Sequence, residues 1–171
     1  MCEQQVFLKN NEDLSSSFLA YIAGFCDGDG SIMAIICKKP EYGIIKYQLR
    51  IIVSFTQKSS RIHFLKQFQK KLGDKGSIRD RKDGQHDLTF VGNDARFLLQ
   101  LIQPYLLIKK KQANLALKIL EQLPSAKNVP LKFLELCQLA DQIAALNDSK
   151  KRITTSDSVR ADFLVLKLID E

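Results

Sequence analysis

No tryptophan occurs among the 171 residues, and only two histidines do, His63 and His86. Two imidazoles are too few for a histidine-based metal centre or a histidine-centred hydrolytic motif. The four cysteines, at positions 2, 26, 37 and 137, form no CxxC and show no metal-ligand spacing. That excludes a zinc site and a disulfide framework, and it predicts a reducing compartment. No apolar run approaches the roughly 20 residues of a membrane span. The opening MCEQQVFLKNNED lacks both a signal core and the arginine-rich character of a transit peptide, so the chain is expected to stay where it is translated. Internal repeats and low-complexity tracts are absent as well.

What is present is a core-sized apolar fraction, 45%, and a net charge of +7 that is unevenly spread. Residues 1–37 hold one lysine against five acids, a net of −4; residues 38–82 hold thirteen bases against three acids, a net of +10; residues 83–171 hold twelve against eleven. Basicity gathered in one stretch is the footprint expected for a polyanion, with a solvated basic face as the plainer alternative.

Periodicity places a helix over Leu14–Cys26, opened by serines 15–17 and ended by glycines 28 and 30, and then a strand over Ser31–Cys37. After a turn around Pro40 and Gly43, Tyr47–Gln57 alternates as a strand. Tyr47, Leu49, Ile51, Val53 and Phe55 point one way and Gln48, Arg50, Ser54 and Thr56 the other; Ile52 breaks the pattern. Ile62, Leu65, Phe68 and Leu72 recur at helical spacing up to Gly73. Short strands near Gly76–Asp80 and Asp87–Val91 flank the turn at Lys82-Asp83-Gly84. Helices are predicted over about 94–103, 110–122 before Pro124 and 131–146 after Pro130. A polar break, Asn147 to Arg152, leads to a last amphipathic stretch from Ser156. The order αββαββα with added helices predicts an α+β domain whose antiparallel sheet is covered by helices on one face. The free face would carry Gln48, Arg50, Ser54, Thr56, Arg79 and Arg81. Arginine and glutamine pair with base edges, and β-ribbons fit the major groove; an ordinary solvated sheet would also be polar.

The most informative segment is Tyr21 to Gly30. On a helix, Ala20, Ala23, Gly24 and Asp27 form a stripe of small residues that lets a second helix come close, while Phe18, Ile22 and Phe25 anchor the other side. Asp27 and Asp29 then fall at the helix carboxyl end, where unpaired carbonyls already make the potential negative. A bound Mg²⁺, taking carboxylate, carbonyl and water oxygens, would resolve the conflict; two solvated aspartates in a glycine-rich turn are the alternative. A calcium-binding EF-hand fails on register, because its sixth position would be Ile32 and its twelfth Lys38.

The run IAGFCDGDGSI resembles the signature of the LAGLIDADG homing endonucleases. Ordered blocks extend the likeness: Phe55 to Lys58, Gly76 to Arg81, Lys109 to Asn114, Leu123 to Lys127 and Asp141 to Lys150. These are similar to the single-motif, homodimeric branch encoded in algal chloroplast introns, with a weaker match over 153–171. The resemblance implies a site-specific double-strand DNA endonuclease in which Asp29, with the Gly28 carbonyl, binds metal. Gln57, Arg61 and Lys109 would join Asp29 as catalytic residues by organising solvent around the metals. It implies Mg²⁺ as cofactor, Mn²⁺ as a substitute and Ca²⁺ as an ion that binds without supporting cleavage. Double-stranded DNA and a second copy of the chain are the implied partners, with no membrane and no small-molecule substrate, and the chloroplast the implied location. Ala20, Ala23, Gly24 and Asp27 would line the dimer interface. The DNA-contacting set would be Lys38, Lys39, Gln48, Arg50, Ser54, Lys58, Arg79, Arg81, Asp87, Lys111, Asn147, Ser149, Lys150 and Lys151. Residues 1–147 would form the endonuclease domain and 148–171 its DNA-contacting loop and helical tail. A strand of about ten residues spans roughly 33 Å, or about ten base pairs, so a dimer would read about twenty as a pseudo-palindrome. An RNA-binding intron maturase and a non-catalytic DNA-binding regulator on the same fold are the alternatives.

Overall fold

The computed structural model describes residues 14–147 and 152–170. Its elements, in order, are α1 (Ser16–Asp29), β1 (Gly30–Lys38), β2 (Tyr47–Lys58), a 3-10 turn (Ser59–Arg61), α2 (Ile62–Lys71), β3 (Ser77–Asp80) and β4 (Gln85–Val91). Four helices follow: α3 (Asn93–Ile102), α4 (Lys110–Ala126), α5 (Pro130–Ala145) and α6 (Ser156–Val165). The strands form one antiparallel sheet in the order β1-β2-β4-β3. The expected α+β order is therefore the observed one.

Alternation decides the two faces. Ile32, Ala34 and Ile36 of β1, Tyr47 to Phe55 at every second residue of β2, and Leu88 and Phe90 of β4 are buried on the helix side. Phe55 is the centre of that layer: it stacks on Phe25 of α1 at 5.2 Å and meets Phe68 of α2 edge-on at 5.0 Å. These ring contacts fix α1 and α2 to the sheet. Helix α6 belongs to the same core through Val159 and Phe163, both fully buried, and Thr155 and Ser158 close its amino end as a capping box.

Two helix ends differ from the sequence reading. Helix α4 runs through Pro124 to Ala126 rather than stopping at 122. Proline lacks the N–H that the Leu120 carbonyl would accept, and the Arg96 guanidinium of α3 supplies that donor instead. Helix α1 likewise passes Gly28 and ends at Asp29. Chain reversal into β1 is abrupt there: a Cβ on Gly30 would lie 2.7 Å from the Cys26 Cα and 2.8 Å from its carbonyl oxygen. Only glycine fits that approach.

Candidate active site and nucleic-acid interface

Asp29, exposed at the end of α1, is brought beside the end of β2 by the tight entry into β1. Gln57, buried at the last helix-side position of β2, donates from Nε2 to Asp29 Oδ2 at 3.5 Å. Its Oε1 accepts from Arg61 Nη1 at 3.2 Å, so the amide is held with its nitrogen towards the carboxylate. Three of the four expected catalytic residues thus form one chain of contacts.

The fourth, Lys109, reaches the same helix end by another route. Its Nζ donates to the carbonyls of Cys26 at 3.0 Å and Asp27 at 2.6 Å, capping α1 with a positive charge where the helix dipole is negative. Asp27 answers in the opposite direction. Its carboxylate accepts the amides of Leu107 (2.8 Å), Ile108 (3.2 Å) and Lys109 (2.9 Å), just before α4 begins. Burial alone would raise the Asp27 pKa, but these amides and the Lys109 charge outweigh it and hold the group below the usual carboxylate value. Asp27 is therefore the junction between α1 and α4, a role within the chain that its expected place along a dimer interface did not include. No local pattern signals this, since its partners lie about eighty residues away.

The donor set suits a hard divalent ion that keeps most of its coordination for water and phosphate. Among the described residues no three of His, Cys, Asp and Glu gather into a protein cage. Asp29 is an exposed carboxylate beside an exposed glycine, and Lys109 has already neutralised the neighbouring carbonyls. Magnesium commonly takes one or two carboxylates together with substrate phosphates in this way.

The small-residue stripe splits. Ala20 and Gly24 are exposed, and nothing lies within 4 Å of a Cβ built on Gly24. Ala23, expected beside them, is wholly buried with Ile22 and Cys26. The exposed ridge of α1 runs through Ser17, Ala20, Tyr21, Gly24 and Gly28, rotated away from Ala23 by about one residue.

Across the sheet's free face the side chains form rows. Nearest Asp29 is Thr56–Asp87–Arg79, then Ser31–Ser54–Thr89–Ser77, then Met33–Ile52–Val91, then Ile35–Arg50 and Cys37–Gln48. Thr56 donates to Asp87 at 2.6 Å, Arg81 lies 3.5 Å from Asp87 and 3.3 Å from Asp83, and Ser54 meets Thr89 at 3.3 Å. Gln48 donates to the Tyr42 hydroxyl at 3.2 Å. Arg79 has no ion-pair partner among the described residues, and Lys58 extends the same face beyond Thr56.

Other expected DNA contacts are placed differently. Lys38 follows the parity of Ile32, Ala34 and Ile36, so it turns to the helix side and pairs with Asp162 of α6 at 2.5 Å. Tyr47 donates to the same carboxylate at 2.6 Å, and these two donors keep Asp162 below the usual carboxylate pKa. Lys38 is thus a tie between β1 and α6, a correction to its place among base readers. Asn147 donates its amide to the Ile32 carbonyl at 2.9 Å and anchors the end of α5 to β1. Lys39 sits in the turn 3.7 Å from Glu41, and Lys111 is exposed on α4 beside a groove lined by Asn114 and Gln142. Ser149, Lys150 and Lys151 lie outside the described residues.

Sequence reasoning passed over His86. Its Nδ1 is 2.7 Å from Asp80 of β3 and its Nε2 is 3.0 Å from Ser59, so it ties the β3–β4 hairpin to the turn that carries Arg61. Helix-side parity with Leu88 and Phe90 was the available signal.

Comparison with known proteins fits this geometry. A model of the LAGLIDADG endonuclease family matches residues 22–120. The chain is 51% identical over 152 residues to DNA endonuclease I-CreI of Chlamydomonas reinhardtii, covering 88% of this chain and 91% of that one. It is 38% identical over 142 residues to DNA endonuclease I-CvuI of Chlorella vulgaris, covering 82% and 86%. A crystal structure of I-CvuI with the I-CreI target and magnesium, its DNA not cleaved, superposes with a TM-score of 0.86 at 34% identity, over 94% of this chain and 99% of that one.

Proposed function

This chain belongs to the LAGLIDADG endonuclease family, and from that premise we propose that it is a homing endonuclease that hydrolyses both strands of a long DNA site as a homodimer. The observation that carries the assignment is the exposed Asp29, joined through Gln57 to Arg61 at the end of the signature helix.

Asp29 and the Gly28 carbonyl would hold the divalent ion, which would supply positive charge to the scissile phosphate, acidity to the attacking water and stabilisation to the leaving oxygen. Gln57 steadies the Asp29 carboxylate and orients solvent without changing protonation. Arg61 keeps the Gln57 amide facing Asp29 and adds positive charge near the phosphate. Lys109 lets two carbonyl-rich helix ends meet a phosphodiester by cancelling their negative potential. One chain carries one signature helix, so the second strand is cut by a second copy approaching over Ala20 and Gly24. The paired sheets read about twenty base pairs. Mn²⁺ replaces Mg²⁺ in cleavage and Ca²⁺ supports binding alone. A chloroplast location accords with relatives from two green algae.

Asp29→Asn removes the charged ligand while leaving the sheet face untouched. Cleavage in Mg²⁺ should be abolished, and affinity for the cognate duplex in Ca²⁺ should stay within a few-fold of the parent. Near-parental cleavage by this variant would refute the metal assignment. Failure of the parent to cut any DNA it binds specifically would favour a regulator without cleavage.

A further inference from the structure

One row of the free face is not explained by hydrogen bonding. Met33, Ile52 and Val91 lie side by side across β1, β2 and β4, all half-buried on the face opposite the helices. Ile52 is also the residue that breaks the alternation of its strand. The row nearer Asp29 is polar, the hydroxyls of Ser31, Ser54, Thr89 and Ser77, and the row on the other side holds Arg50 beside the exposed Ile35.

Three strands about 4.8 Å apart make a band roughly 10 Å across, close to the ~12 Å width of the major groove. Once DNA covers the sheet, a donor or acceptor on a base edge facing this band loses its water and gains no partner. Only one major-groove feature is satisfied by an apolar surface, the 5-methyl group of thymine. A second copy of the chain is not the occupant of this face. Arg50, Lys58, Arg79 and Arg81 stand on it against Asp87, and two such faces repel while a polyanion is attracted.

We infer that Met33, Ile52 and Val91 form a thymine-methyl reader, a specificity-determining band within the DNA-reading surface proposed above, on which it rests. Ile52 is four residues along β2 from Thr56, a distance of about 14 Å, or about four base pairs. Arg79 shares the Thr56 row. The thymine therefore lies about four base pairs outward from the pair that Arg79 faces, once in each half-site.

The test uses duplexes recovered by the full-length protein in Ca²⁺ from a pool of random sequence. Recovered sites should share an A·T pair at one symmetric position. Deoxyuridine, which lacks the methyl, is then placed at each thymine in turn and affinity is measured. Substitution at the band position should weaken binding about fourfold per half-site, the transfer value of one buried methyl group, and about fifteenfold in both. Elsewhere the change should stay under twofold. Ile52→Thr keeps the β-branched shape and strand preference but adds a hydroxyl, and it should abolish the deoxyuridine penalty. Val91→Thr, the same change on the neighbouring strand, should reduce it. A thermal melt of each variant confirms folding. Uniform tolerance of deoxyuridine, or an undiminished penalty in both folded variants, overturns the inference and leaves the endonuclease reading standing. Recovery of no preferred duplex by the parent overturns both.

Discussion

Replacing Asp27 with alanine removes the acceptor for three consecutive amides, those of Leu107, Ile108 and Lys109, at 2.8, 3.2 and 2.9 Å. A hydrogen bond to a charged group contributes about 1.5–3 kcal/mol, and a helix cap about 0.5–2 kcal/mol. The amides of Leu107 and Ile108 are exposed and can turn to water, so the three bonds together should be worth about 2 kcal/mol rather than their sum. For a chain of this length each 1 kcal/mol moves the midpoint by about 2–4 °C, giving a fall of about 4–8 °C at pH 7. Thermal melts should be run at one fixed protein concentration, because dimerisation itself raises the midpoint. The pH dependence follows from the sign of the shift. The folded pKa of Asp27 lies below its unfolded value, so the stabilisation is complete above the unfolded value near 3.8 and is lost as pH falls through the folded one. The gap between parent and Asp27→Ala should accordingly be constant from pH 7 to about pH 5 and close in stronger acid. Lys109 is held at this junction, so cleavage at saturating protein should fall as well. A midpoint within 1 °C of the parent at pH 7, or a gap that persists unchanged at pH 2, would refute the junction role.

Three other substitutions probe separate parts of the molecule. Gly24→Leu fills the open space on the exposed ridge of α1 and should shift sedimentation from dimer to monomer with loss of cleavage; a normal dimer would place the interface elsewhere. Arg96→Met strips the donor from the Leu120 carbonyl opposite Pro124 and should cost about 1–3 kcal/mol in urea unfolding, while an unchanged midpoint would mean that solvent satisfies that carbonyl. Arg79→Ala should cost about 1–3 kcal/mol on the cognate duplex and relax preference at one symmetric base pair; equal weakening on every sequence would make it a phosphate contact.

Local periodicity was enough to locate most elements. Alternation from Tyr47 to Gln57, the 62–72 helical spacing and the turn at Lys82-Asp83-Gly84 are properties of adjacent residues, and the sheet and α2 follow from them. The signature run likewise announced the exposed Asp29, and its likeness to a known family directed attention to Gln57, Arg61 and Lys109. What sequence periodicity left open is which neighbour each face meets. A helical stripe of Ala20, Ala23 and Gly24 is continuous on paper. Only packing of α1 against the sheet decides that Ala23 is core while Ala20 and Gly24 stay outside. Lys38 reads as one more free base in a basic stretch, until strand parity turns it towards Asp162, 124 residues away. Pro124 reads as a helix stop because the sequence window does not contain Arg96, whose guanidinium takes over the orphaned carbonyl. Asp27 and Lys109 each satisfy the other's helix end across eighty-two residues. Backbone preference and hydrophobic period act over a few residues and are written in the chain; hydrogen-bond and charge partners are chosen by the fold, because only folding brings them within 3 Å.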